Sequence, residues 1–151
     1  MRLLRRARAR DTPRSRRAER FLAAGAQQSG TFGHSYVGTE HVLLGLLALE
    51  GGIVPNVLKK MGVDREDVRR QIDNWVSTFP SGKMPAQVPY TPRVKKSLHF
   101  AAREARASRN APVGAEHLLL GLVMEGDGVA GRVLRDFGFS PERTREEIRR
   151  G

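Results

Sequence analysis

The sequence predicts an all-α protein built as a tandem pair of four-helix repeats, about eight helices related by pseudo-two-fold symmetry. Three observations carry this. Shifting the chain by 76 positions lays His41 to Val63 on His117 to Phe139, and His41, Leu43, Leu44, Gly45, Leu46, Gly52, Val57, Leu58 and Gly62 all recur in register. Apolar residues fall at helical spacing within each copy, and alternating strand patterns are essentially absent. Glycines recur at matching places in the two copies, and prolines mark the segment between them.

The second copy opens on Thr91-Pro92, a cap followed by a first-turn proline. Val94, Leu98, Ala101, Ala102 and Ala105 then share one helical face. The matching set in the first copy is Ala18, Leu22, Gly25, Ala26 and Ser29, which is smaller and weaker. A second helix starts near Gly38 or Gly114 and is apolar almost all round through Val42 to Leu47. Such a helix is expected to be buried on every side, at the centre of its repeat. The third helix ends at Gly62 or Gly138, each suited to the left-handed residue beyond a helix. The fourth opens at Asp64, or at Ser140-Pro141-Glu142, where cap, first-turn proline and acidic position agree. Between the copies, Pro80, Gly82, Pro85 and Pro89 predict an extended linker. The expected organisation is a basic arm over 1–14, a first repeat over 15–76, a linker over 77–90 and a second repeat over 91–151.

Composition excludes several classes. With 151 residues, 39% hydrophobic and 28% charged, the chain can build a core and is not wholly disordered. No apolar run approaches the roughly 20 residues that cross a bilayer. The absence of cysteine removes disulfides, thiolate metal sites and cysteine nucleophiles. The net charge of +11 is unevenly placed: residues 1–20 hold nine arginines against Asp11 and Glu19, and the remainder is nearly balanced. Basicity therefore belongs to the arm, which reads first as a solvated tail. A phosphate-binding or targeting role for it comes second.

Gly38-Thr39-Glu40-His41-Val42-Leu43-Leu44-Gly45-Leu46 and its copy Gly114-Ala115-Glu116-His117-Leu118-Leu119-Leu120-Gly121-Leu122 carry a specific likeness, reinforced by Tyr90-Thr91-Pro92-Arg93. Over roughly residues 15–150 the chain resembles the Clp N-terminal (Clp repeat) domain, the duplicated helical module at the front of ClpC- and ClpA-type protein unfoldases. The resemblance implies a non-catalytic domain that binds substrates and adaptors. It implies recognition of phosphoarginine-marked proteins, one site per repeat, and docking of cyclic peptide antibiotics. The family's site glutamate falls on Glu40 and on Glu116, with Gly38, Thr39, Gly114, Ala115 and Tyr90 as the accompanying ligand-binding candidates.

The chemistry is consistent with that assignment. A helix start offers unpaired N–H groups to a phosphate, and a carboxylate can meet a guanidinium through two parallel hydrogen bonds. The competing explanation is that Glu40 and Glu116 merely complement a helix dipole. His41 and His117 are expected to be packed, hydrogen-bonded residues. Among His34, His41, His99 and His117 no i, i+4 pair suggests a metal site, and no cofactor is expected. Ala115 in place of Thr39, and Asn110-Ala111-Pro112 in place of His34-Ser35-Tyr36, make the first site the more complete.

No nucleotide-binding loop of the form GxxxxGK[ST] is present, since Gly82-Lys83 is followed by Met84 in the linker, and GxSxG and HExxH are absent too. The chain is therefore expected not to be an enzyme. The arginine arm favours a small stand-alone protein over the excised front of an unfoldase. Three functions follow: a protein that binds marked or unfolded proteins, adaptors or peptides and modulates Clp proteolysis; a decoy that sequesters cyclic peptide antibiotics aimed at the unfoldase; and, third, a nucleic-acid-associated protein acting through its arm. Twenty-two arginines against five lysines suggest a GC-rich genome; the expected compartment is the bacterial cytoplasm, which the absence of cysteine fits, with organelle targeting by the arm as the lesser alternative.

Overall fold

Local signals set the helix boundaries in the computed structural model, which describes residues 16–32, 34, 36–48, 52–76, 89–108 and 112–150. The arm over 1–14 and most of the linker, 77–88, lie outside the described residues. The order is α1 (Arg16–Thr31), α2 (Thr39–Ala48), α3 (Ile53–Lys60), α4 (Arg65–Val76), α5 (Pro92–Ala107), α6 (Ala115–Glu125), α7 (Val129–Asp136) and α8 (Pro141–Arg150). The Thr91 hydroxyl caps α5, accepting from Val94 N–H at 3.3 Å. Asp64 accepts from Glu66 N–H at 2.8 Å ahead of α4, and Ser140 from Arg143 N–H at 3.1 Å ahead of α8. Gly62 and Gly138 follow α3 and α7 with φ of 68° and 93°, the left-handed region that glycine enters without a Cβ clash.

The two central helices are sunk in the core, as their all-round apolar sequence requires. Val42 to Leu47 of α2 and Leu118 to Val123 of α6 are all buried. α2 lies along α1, and α6 along α5, at backbone contact. A Cβ on Gly45 would stand 2.6 Å from both Gly25 N and the Phe21 carbonyl oxygen, and one on Gly121 would meet the Ser97 carbonyl. The repeated glycine is thus a packing requirement, because only a residue without a side chain lets two helix backbones approach this closely.

The duplication extends to the packing between halves. α2 packs on α7 as α6 packs on α3; α4 meets α7 as α8 meets α3; α1 touches α6 as α5 touches α2; and α2 meets α6 across the centre. Reciprocal pairs of this kind are the signature of a two-fold relation. Among the described residues no strand occurs, and one isolated parallel bridge joins Val37 to Tyr90. Val37 N–H donates to the Pro89 carbonyl at 2.8 Å and Thr91 N–H donates to the Val37 carbonyl at 3.0 Å. The entry to α5 is thereby pinned beside the entry to α2. No single helix among the described residues is long and apolar enough to cross a membrane.

Candidate functional site

That bridge brings two helix starts together, and a cleft of about 640 Å³ opens between them. The first repeat contributes Tyr36, Gly38, Thr39, Glu40 and Trp75. The second contributes Thr91, Pro92 and Arg93 from the start of α5, with Asp127, Gly128, Val129 and Arg132 from the turn into α7. The cleft at Glu40 therefore belongs to both repeats.

Glu40 lies on the cleft wall with 5% exposure. Burial raises its carboxyl above the usual carboxylate range, and a hydrogen bond from its own backbone N–H partly opposes this. The carboxylate folds back over Gly38 so closely that a Cβ there would collide with Oε1. Glycine at the first position leaves room for the third to cover it; a larger residue would push the carboxylate aside. Glu116 repeats the arrangement, with a Cβ on Gly114 falling 2.6 Å from its Oε1.

Thr39 is committed elsewhere. Its hydroxyl accepts a hydrogen bond from Ala130 N–H at 3.3 Å, joining α2 to the first turn of α7. Arg93 is also engaged, donating to Glu125 Oε2 at 3.1 Å and standing 3.9 Å from Asp127 Oδ2. Glu125, fully buried at its side chain, takes Gly128 N–H on its other oxygen at 2.8 Å. One carboxylate thus fixes both the α6–α7 turn and the arginine at the head of α5.

Behind the cleft lies an aromatic and imidazole cluster. His41 Nδ1 accepts from Gly38 N–H at 2.8 Å, which leaves the ring proton on Nε2, 2.7 Å from His34 Nδ1. His34 stacks between Phe32 and Tyr36 at centroid distances of 5.4 and 5.1 Å. The Ser29 hydroxyl holds this loop to α1 through the carbonyls of His34 and Tyr36. Burial and the neighbouring His34 lower His41 to about 4, so it is a neutral structural histidine. Among the described residues no group of three or more metal-ligating side chains occurs.

The model of the Clp repeat N-terminal domain matches residues 14–137 and again 89–150. Chaperone protein ClpC1, chloroplastic, from Arabidopsis thaliana is 38% identical over 132 residues, covering 87% of this chain and 14% of that protein. Chaperone protein ClpB from Oceanobacillus iheyensis is 38% identical over 133 residues, with 87% and 16% covered. The chain belongs to the Clp N-terminal domain family. It spans about one-seventh of the length of the curated relatives it matches. Solved N-terminal domains agree: that of ClpD from Arabidopsis thaliana superposes with a TM-score of 0.70 at 22% identity, covering 89% of this chain and 91% of that one. The Hsp104 N-terminal domain of Candida albicans gives 0.76 at 14% identity, with 90% and 89% covered.

In this Clp N-domain, Gly38, Thr39 and Glu40 line one cleft, whereas Tyr90 packs against the hydrophobic core next to it. Gly114, Ala115 and Glu116 occupy the two-fold-related place. The positions there that correspond to Thr91 and Asp127 are 15 and 51, both outside the described residues. His117 keeps the bond from Gly114 N–H, at 2.9 Å, and burial lowers its pKa, partly offset by Glu116 and Glu104. Sequence reasoning missed Trp75, Arg93 and Arg132. A faint signal existed for Trp75: it is the chain's single tryptophan and stands off the Val68, Ile72 and Val76 face that α4 buries.

Proposed function

We propose that this Clp N-domain is a non-catalytic reader of arginine-phosphorylated or otherwise marked proteins and peptides, and that it modulates Clp-dependent proteolysis. The observation that carries this reading is the buried Glu40 carboxylate in an open cleft shared by both repeats. A carboxylate kept from water is poorly solvated, so a guanidinium that meets it through two N–H donors gains more than it would at an exposed glutamate. Arg132 on the same cleft supplies the opposite polarity that a phosphate requires. A ligand carrying both groups, such as a phosphoarginine side chain, fits this pairing of charges.

A second reading, a decoy for cyclic peptides, is favoured by Tyr36 and Trp75, which give the cleft two aromatic walls suited to apolar side chains. Calorimetric titration separates the two. Phosphoarginine should bind the wild type, weaken with Glu40→Gln, weaken less with Glu116→Gln and vanish in the double variant. A wild type that binds a cyclic peptide but no phosphoarginine places the decoy reading first.

A further inference from the structure

We propose that Trp75 and Arg132 form an anion-reading wall in the first cleft, so that this cleft, and not its copy, selects a phosphorylated guanidinium over a plain one. The proposal rests on the reading that Glu40 receives a guanidinium. It adds which residues judge the phosphate.

The charges on the cleft are not equally available. Arg93 already faces Glu125 and Asp127. Arg132 faces no carboxylate at ion-pair distance among the described residues. Its Nε donates to the Asp127 carbonyl at 2.9 Å, and its guanidinium carbon stands 5.9 Å from the centre of the Trp75 ring. Those two contacts orient the group and leave the terminal N–H donors for an incoming anion. Arginine's planar fork matches phosphate oxygens in pairs, and an aromatic face supports the cation without neutralising it.

The start of α2 is a poorer candidate for the same task. Glu40 already folds its own carboxylate onto its backbone N–H and over Gly38, so that end of the helix is supplied with a negative charge. An added phosphate there would meet like charge. The duplication provides an internal control. At the offset that relates the repeats, Arg132 corresponds to Asn56 and Trp75 to Gly151, so the second copy has neither the cation nor the ring.

Trp75 is the only tryptophan in the chain and is 39% exposed, which makes it the reporter. The full chain is titrated with phosphoarginine and with arginine, following Trp75 emission and heat, for wild type, Arg132→Gln and Glu40→Gln. Phosphoarginine should change the emission and arginine should not. Arg132→Gln should weaken phosphoarginine by about five- to ten-fold and leave arginine unaffected. Glu40→Gln should weaken both ligands. Raising the salt should shrink the wild-type preference for phosphoarginine more than that of Arg132→Gln. If Arg132→Gln binds phosphoarginine as tightly as wild type while Glu40→Gln does not, the wall is wrong and the guanidinium site survives. Unchanged emission on phosphoarginine binding overturns the wall as well. No heat from phosphoarginine with wild type overturns both.

Discussion

The hydroxyl of Thr39 accepts a hydrogen bond from the backbone N–H of Ala130, 91 residues away. A residue that the family resemblance offers as a ligand contact is therefore first a link between repeats. Its copy, Ala115, has no hydroxyl, so the link exists on one side of the two-fold only. Thr39→Val keeps the shape and removes the acceptor, leaving a buried N–H unpaired. The expected cost is about 1–3 kcal/mol, read as a lower urea midpoint. Phosphoarginine affinity, measured on the folded protein, should change little by comparison. An unaltered midpoint would show that the hydrogen bond contributes nothing net.

The α1–α2 crossing is the tightest test of the core. Gly45→Ala places a methyl 2.6 Å from two backbone atoms of α1, and a backbone cannot step aside as a flexible side chain can. Overpacking of this kind costs about 1–3 kcal/mol. Leu44, 1% exposed on the same helix, tests the opposite fault: Leu44→Ala leaves a cavity and should cost about 2–5 kcal/mol. Denaturant midpoints for the two variants measure both. A Gly45→Ala protein as stable as wild type would mean that α1 is not held against α2.

The fold was legible where causes are local. Thr91-Pro92, Asp64, Ser140, Gly62 and Gly138 act within a few residues of themselves, and each sits at the helix end it was expected to mark. The stripe of α1 is small because α2 crosses it at Gly25, and it is buried all the same, with Phe21 beside Ala18 and Leu22. The site was legible only in part. Gly38 and Glu40 announce themselves by recurrence, but Trp75, Arg93 and Arg132 reach the cleft through tertiary packing. His34 and His41 are seven residues apart, a spacing that signals nothing, yet their ring nitrogens meet at 2.7 Å.

That histidine pair makes stability depend on pH. His41 titrates near 4 in the folded chain against 6.5 when unfolded, and burial lowers His34 in the same direction. The unfolded chain therefore binds protons first, so stability is fully present above about pH 6.5 and falls as the pH drops toward 4. His41→Phe should be less stable at pH 7, because Gly38 N–H and His34 lose their partner, yet should lose less on acidification. Urea midpoints between pH 7.5 and 4.5 give the comparison. Parallel curves for wild type and variant would show that folding does not lower the pKa of His41.

Glu40 has the opposite sign, and that separates a binding residue from a helix-end residue. Its carboxyl is raised by burial, so the folded chain holds the proton more tightly than the unfolded chain does. The stability this contributes is present below the unfolded value of 4.5 and is lost as the pH rises through the folded one. At neutral pH the ionised, buried carboxylate is then a burden on the fold, which its own backbone N–H only partly relieves. Glu40→Gln should raise the urea midpoint at pH 7, with the gain disappearing near pH 4. The same variant should bind phosphoarginine about ten- to a hundred-fold more weakly, since a charge-assisted pair is worth about 1.5–3 kcal/mol. Binding by wild type should fade on acidification with a midpoint above 4.5, and the residual binding of Glu40→Gln should lack that midpoint. A glutamate kept only for the helix dipole behaves otherwise: its loss would lower stability at pH 7 and leave binding intact. Midpoint and affinity, measured together on one variant at two pH values, decide between the two.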